Sequence, residues 1–420
     1  MLNNMARIKH YIKYNVWENI QKTIRTEGVF SCLKKALFFI IGRLMGLLAY
    51  PVCRMMNVKF IPVHIAAIGH LAGEIELYVK EGALGLRPLY KTILFAYRKN
   101  VANPHLLSYW KKYVYVIENP VLCFLLGPLR RSGLVRYHVE KYFCGDYSSA
   151  AYPTIQGQYH GRSPVLSLTD FDRERGWSAL RELGVPKDPW FVCVHCREGG
   201  SLGLRQGQMH RDVDINSYLP AMEEITRRGG WVIRMGDAAM KPIPVIKNVI
   251  DYAHLDIKSD WMDVFLCASC KFYFGSNSGL LNLSSVFGVS NSVANIAGPF
   301  SAVLLYGPED IGIPKLLWSL KENRYLSFRE ILSSPVGNFR EDYLFAEHGI
   351  RVVDNSPEDI KAIAMEMLDR LNGKIQYSDE DERMQEDFKS LMNPSHFSYG
   401  AVSRVGRDFL RKYKYLLYDR

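Results

Sequence analysis

The chain has 420 residues, 48% of them hydrophobic and 23% charged, a balance that excludes extensive disorder and leaves room for two domains. Its formal net charge of +10 fits a phosphate-bearing ligand or an anionic membrane face. Nucleic acid is set aside, because the basic residues are spread thinly, with small clusters at Lys34–Lys35, Arg130–Arg131 and Arg411–Lys414, and no zinc-finger spacing or long basic run occurs.

Residues 1–57 read as a basic helical lead-in. Within it Ala36–Val52 is apolar but short for a bilayer span, is broken by Arg43 and two glycines, and has basic flanks. It is expected to be interfacial or buried rather than to cross. The start, Met1-Leu2-Asn3-Asn4, has no cleavable signal pattern, so the expected location is the cytoplasm, peripheral on the inner face of the membrane. Residues 58–185 form the first expected domain. Lys59–Ala67 is strand-like and runs into Ile68-Gly69-His70-Leu71-Ala72-Gly73-Glu74, where a helix opens. Lys91–Tyr97 and Tyr113–Ile117 read as further strands, Pro153–Pro164 as loop, and Gly184–Pro189 as the linker to the second domain.

Residues 186–375 alternate plainly. Strands are predicted at Trp190–His195, Trp231–Met235, Asn248–Tyr252, Lys271–Phe274 and Ser292–Ile296, with helices at Asn216–Arg228, Trp261–Cys267 and Leu280–Phe287. A last unit, strand Ile350–Val353 and a helix opened by Ser356-Pro357-Glu358-Asp359, is expected to close the same sheet. The pattern predicts an α/β fold with a parallel doubly wound sheet, and 376–420 as a helical tail. The eight cysteines sit in apolar contexts. The pairs Cys193–Cys196 and Cys267–Cys270 lack the tight glycine turn of a zinc knuckle and read as buried thiols, so no metal site is expected.

In such sheets ligands bind beyond the C-terminal ends of the strands. Three of those ends are polar. His195-Cys196-Arg197-Glu198-Gly199-Gly200 offers a guanidinium and glycines to a phosphate, with Arg211 downstream; the alternative is a surface loop with a structural ion pair. In Arg234-Met235-Gly236-Asp237, an arginine within an apolar strand requires an anion, either Asp237 or a ligand. Gly275-Ser276-Asn277-Ser278-Gly279 leaves backbone N–H groups at a helix start, though serine capping would account for it equally. In the first half His70 and Glu74 are the candidate general bases, with Asp212 and Asp237 competing.

The runs His210–Tyr218, Gly230–Asp237 and Gly275–Gly279 together resemble a family of bacterial glycosyltransferases associated with surface-polysaccharide synthesis, such as capsule or lipopolysaccharide. The resemblance spans Pro189 to Leu371, with a looser likeness at Gly69-His70. More distantly, His195-x-Arg197 is similar to the His-x-Arg motif of GDP-fucose-dependent fucosyltransferases, with Glu198 where a second arginine is usual. The resemblance implies a GT-B architecture: two Rossmann-like doubly wound domains facing across a cleft, an acceptor domain at 58–185 and a donor domain at 186–375. It implies inverting transfer of a hexosyl or deoxyhexosyl group from a nucleotide-diphosphate sugar to a glycan or lipid-linked glycan, without metal or other cofactor. Read together, the assignments are His70, Glu74 and Asp212 as catalytic; His195, Arg197, Arg211, Arg234, Gly236, Asp237, Ser276, Asn277, Ser278 and Gly279 as donor-binding; and Gly69 and Lys315 as acceptor-binding. The rival readings are a sugar-nucleotide epimerase of similar fold and a non-catalytic nucleotide- or sugar-binding module at the membrane.

Overall fold

The structure, a computed structural model, describes residues 2–142, 151–187, 189–199, 207–297, 300, 303–305, 307–394 and 396–418, the side chains of 2–27 and Pro153 excepted. The first elements are α1 (Leu2–Met55), β1 (Val58–Phe60), α2 (Ile68–Ala83), β2 (Lys91–Phe95), α3 (Pro104–Trp110), β3 (Tyr115–Ile117), α4 (Pro120–Leu126), α5 (Ala151–Tyr159) and α6 (Asp170–Glu182). Next come β4 (Phe191–His195), α7 (Leu219–Arg227), β5 (Trp231–Arg234), β6 (Val249–Ile250), α8 (Asp260–Ser269), β7 (Tyr273–Gly275), α9 (Gly279–Val286), β8 (Asn291–Ile296) and β9 (Ile311–Pro314). The rest are β10 (Leu316–Ser319), β11 (Arg324–Tyr325), α10 (Phe328–Ser333), α11 (Asp342–Glu347), β12 (Ile350–Val353), α12 (Pro357–Leu371), α13 (Asp379–Ser390), β13 (Arg404–Val405), α14 (Arg407–Lys412) and α15 (Lys414–Leu417).

Two compact units divide these elements. The first comprises residues 1–62, 89–100 and 111–138, and the second 63–88, 101–110 and 139–420. In the first unit β1, β2 and β3 form a three-stranded parallel sheet. Phe60, Phe95, Leu129 and Val135 make its small core, against which Met45, Ala49 and Cys53 of α1 pack.

The second unit holds a seven-stranded, all-parallel sheet in the order β13-β9-β8-β7-β4-β5-β6. Counted from β4 in chain order, its first six strands lie 3-2-1-4-5-6, so the connections leave β4 in one direction and β7 in the other. Every residue of β4 is buried, as a central parallel strand covered on both faces requires. Val192, Val194, Phe272 and Phe274 join Met222, Ile225, Ile363 and Met367 in one core. The mixed α/β class with parallel sheets is as expected.

Several elements differ from expectation. Helix α2, placed by sequence in the first half, belongs to the second unit, where its glycines pack on α9. Strand β12 pairs antiparallel with β10 in a separate three-stranded sheet, β11-β10-β12; its half-exposed pattern suits a sheet with one open face, not the buried main sheet. The stretch read as loop from Pro153 begins inside α5, since a proline in the first helical turn sacrifices no hydrogen bond. The tail from 376 is not wholly helical: β13 adds an edge strand beside β9.

The ends of β4 and β7 approach too closely for a side chain. A Cβ on Gly275 would lie 1.8 Å from the His195 carbonyl oxygen. Gly275→Ala should therefore cost about 3 kcal/mol in urea unfolding, whereas Gly157→Ala, in a helix with nothing within 4 Å, should gain about 0.5–1 kcal/mol. A Gly275→Ala protein as stable as wild type would refute the close approach. His195 gives a second test. Burial, then the charges of Arg234 and Lys258, lower its pKa from 6.5 to about 4. The unfolded chain thus binds the extra proton first as pH falls, so this contribution is complete above pH 6.5 and lost progressively towards pH 4. Between pH 8 and pH 5 wild type should lose about 2 kcal/mol more stability than His195→Gln, read from urea unfolding at the two pH values.

Candidate functional site

The connections diverge between β4 and β7, which opens a crevice at the C-terminal ends of those strands. Tyr273, buried in β7, ties the two ends together. Its hydroxyl lies 3.3 Å from the His195 carbonyl, 3.1 Å from the Ser276 carbonyl and 2.9 Å from Ser278 Oγ. The Ser276 N–H donates to the His195 carbonyl at 3.0 Å, and the Arg197 N–H donates to Ser276 Oγ at 2.9 Å. The loops after β4 and β7 are therefore one hydrogen-bonded structure.

Two guanidiniums reach it. Arg197 Nε lies 2.9 Å from Asp212 Oδ1, both side chains about one-fifth exposed, and Arg211 Nη2 donates to the Asn277 carbonyl at 3.2 Å. Asn277 in turn donates from Nδ2 to the Ala297 carbonyl. Ser278 occupies the N-cap of α9, yet its hydroxyl bonds Tyr273 and caps nothing, so the first N–H groups of α9 take no cap from it. His195 is buried at the β4 end, and its Nδ1 has no hydrogen-bond partner. Burial keeps the ring neutral, so it can exchange a hydrogen bond with a ligand but adds no charge.

Helix α2 brings the other candidates to the same place. A Cβ on Gly69 would lie 2.9 Å from Gly279 Cα, and one on Gly279 would lie 2.6 Å from Ile68 Cγ2. Asn282 Nδ2 donates to the Gly69 carbonyl at 3.1 Å. The starts of α2 and α9 thus meet backbone to backbone at the residue that precedes His70. The His70 Nδ1 is hydrogen-bonded to Glu74 Oε1 along the helix, with Glu74 buried and His70 part-exposed. Burial raises the Glu74 pKa, the His70 contact opposing it. The Glu74 carboxylate thus fixes Nδ1 of the His70 ring and sets its orientation along the helix.

The structure therefore brings together His195, Arg197, Arg211, Asp212, Ser276, Asn277, Ser278 and Gly279, with Gly69 packed on Gly279, while His70 and Glu74 follow Gly69 on α2 and contact each other. Gly69 serves close packing of helices, which needs no acceptor to explain it. Arg234 does not join the others. It is 1% exposed and donates to Glu198 Oε2 at 2.7 Å, Asp251 Oδ1 at 3.1 Å and the Lys241 carbonyl at 3.0 Å. Its anions are protein carboxylates and not Asp237, which instead accepts from the Ala239 N–H. Gly236 packs against Met240 and Ala253 in the same turn. Lys315 is buried: its ammonium donates to the His210 and Asp212 carbonyls, both at 2.9 Å, and pairs with Asp354 at 2.7 Å. It holds the loop that carries Arg211 and Asp212 from beneath. Gly200, Asp188 and Pro299 lie outside the described residues.

Sequence reasoning missed Tyr273, Asn282, Asp251 and Asp342. A tyrosine in a buried strand just before a Gly-Ser-Asn-Ser-Gly turn was the available signal, because its hydroxyl must find a partner. Asp342, which accepts from the Met209 and His210 N–H groups and pairs with His210 Nδ1 at 2.6 Å, comes from a helix far along the chain and leaves no local mark.

No protein-family profile matches the sequence, and no curated protein does. Solved structures give distant likenesses. The ADP-heptose lipopolysaccharide heptosyltransferase II of E. coli is 12% identical, over 58% of this chain and 86% of that one, with a TM-score of 0.34. A family 9 glycosyl transferase from Veillonella parvula is 9% identical over 56% and 79%, TM-score 0.36. The iron-containing dodecameric glycosyltransferase TibC from enterotoxigenic E. coli is 12% identical over 76% and 77%, TM-score 0.42. They do not show the likeness to fucosyltransferases, and at these scores they lend no weight to any residue assignment.

Proposed function

We propose that the second unit binds a nucleotide-diphosphate sugar at the crevice between β4 and β7 and transfers the sugar to a glycan or lipid-linked glycan of a bacterial surface polysaccharide. One observation carries the reading: Arg197 and Arg211 stand beside the uncapped start of α9 where the strand order reverses, and α2, the helix that bears His70 and Glu74, packs on that start at Gly69. The resemblance of His210–Tyr218, Gly230–Asp237 and Gly275–Gly279 to surface-polysaccharide glycosyltransferases points the same way.

In this reading Arg197 and Arg211 meet the diphosphate and offset the charge that develops as the glycosidic bond breaks. The α9 N–H groups take a phosphate or ribose oxygen. His70, oriented by Glu74, removes the proton from the acceptor hydroxyl, which then displaces the nucleoside diphosphate with inversion. Asp212 is not the base in this reading, since its carboxylate is engaged by Arg197 at 2.9 Å. It positions that guanidinium. Lys315 supports the loop and does not touch the acceptor. Arg234 sets the crevice wall from inside.

Calorimetry with a panel of nucleoside diphosphates tests the site. Arg197→Ala and Arg211→Ala should each weaken binding about tenfold to a hundredfold and leave thermal stability nearly unchanged. Arg234→Met should do the reverse: about 3–5 kcal/mol of stability lost, because Glu198 and Asp251 are left without their cation. If no nucleoside diphosphate binds, or Arg197→Ala binds like wild type, the proposal fails.

Transfer assays test the base. His70→Ala should lower kcat about a hundredfold or more, and Glu74→Gln at least about tenfold, with donor Kd unchanged in both. Binding without transfer or hydrolysis of any nucleotide sugar would reduce the unit to a binding module. Release of an epimerised free sugar with no acceptor present would favour an epimerase.

A further inference from the structure

The first unit carries a surface that the sugar-transfer reading does not use. Helix α1 is interrupted at Gly28, and the stretch Gly28–Met55 is long and apolar enough to cross a bilayer, with only 11% of its most apolar window buried. A core helix of a water-soluble domain would be mostly covered. This one is covered along a single stripe. Gly42 and Gly46 are buried: a Cβ on Gly42 would lie 2.4 Å from the Pro128 carbonyl oxygen, and one on Gly46 would lie 1.9 Å from Ser132 Oγ. Met45, Ala49 and Cys53 continue the stripe onto the small core of the unit. The glycines that interrupt the apolar run are thus the seat for the turn Gly127–Arg131.

The opposite face is bare. Leu37, Ile40, Leu44, Leu47 and Leu48, three and four residues apart, are each more than half exposed, as is Phe124 on α4. A contiguous apolar face of this size is a partner surface rather than a solvated one. Because protein covers the middle of the other face, lipid could not surround the helix, so a span is disfavoured and a helix lying in the interface fits.

Beside this face, α1, α4 and the turn Gly127–Arg131 line an open pocket of about 400 Å³ whose lining, among the described residues, includes Lys34, Lys35, Arg130, Arg131, Phe38 and Phe124 and no carboxylate. Arg131 lies 5.7 Å from the Phe38 ring and donates to the Lys35 carbonyl at 3.3 Å, which holds the guanidinium at the pocket wall. Partial desolvation, then the adjacent Arg131 charge, lowers the pKa of Arg130.

We propose that the first unit docks on an anionic phospholipid bilayer, with the Leu37–Leu48 face of α1 in the acyl boundary and a headgroup phosphate in the Lys34–Lys35–Arg130–Arg131 pocket. Charge complementarity selects the occupant: apolar side chains flanked by four cations match a leaflet whose apolar layer begins beneath a sheet of phosphates. This inference does not rest on the donor site.

Co-sedimentation of the full chain tests it, using vesicles of phosphatidylcholine alone and with about 30% phosphatidylglycerol. Wild type should prefer the anionic vesicles and lose the preference in high salt. Arg130→Gln with Arg131→Gln should lower partitioning to anionic vesicles about thirtyfold, and Lys34→Gln, exposed enough to leave folding untouched, about fivefold. Leu44→Glu with Leu48→Glu should abolish binding to both vesicle types, and alkaline carbonate should release the wild-type chain from membranes. Equal binding to both vesicle types, indifference to the three cation changes, or retention after carbonate would overturn the proposal. So would a dimer in vesicle-free sedimentation that Leu44→Glu dissolves, since a second copy would then cover the face. Nucleoside diphosphate binding, measured without vesicles, reports separately on the donor site.

Discussion

The close approach of β4 and β7 is the constraint on which the second unit depends. Two parallel strands whose connections run in opposite directions leave a gap at their ends. Here the gap has a floor, because Gly275 lies against the His195 carbonyl and the Tyr273 hydroxyl binds both strand ends. With the floor fixed, the next residues have little choice. Ser276 accepts from the Arg197 N–H, Asn277 accepts from Arg211, and Ser278 is drawn to Tyr273 and away from the helix it precedes. An N-cap serine that fails to cap leaves the helix start to an outside anion.

The second constraint is the glycine contact between α2 and α9. Helix starts pack backbone to backbone only where neither carries a side chain, and Gly69 and Gly279 satisfy this from opposite parts of the sequence. The contact sets where His70 stands relative to the loop after β7. Neither glycine touches a reacting atom in this reading, yet both fix the distance between base and phosphate site, a quantity to which transfer rates are steeply sensitive.

What the sequence revealed and what it hid divide along a physical line. The strands from β4 to β8 were readable because buried parallel strands are short apolar runs, and their polar ends stood out by contrast. The convergence of His195, Arg197, Arg211 and Ser276–Gly279 followed from that. Strand β9 was hidden because Ile311-Gly-Ile-Pro314 carries a glycine and a proline, which read as turn, and the burial of its neighbour Lys315, expected at the acceptor, was hidden with it. The destination of α2 was hidden because a helix's partner is chosen by glycine placement over more than two hundred residues. Arg234 was read correctly as needing an anion, but Asp251 and Glu198 meet it only after β4, β5 and the turn beyond are assembled.

The three arginines then separate by burial. Arg234, surrounded by Glu198 and Asp251, is neutralised within the protein, and its field falls on His195, which burial already holds neutral. Arg197 and Arg211 keep partial access to water, and the single carboxylate facing Arg197 is itself part-exposed. A phosphate approaching the crevice therefore meets two permanent cations and a neutral imidazole. In the proposed site, charge recognition would rest on the two guanidiniums and not on His195, which burial holds neutral.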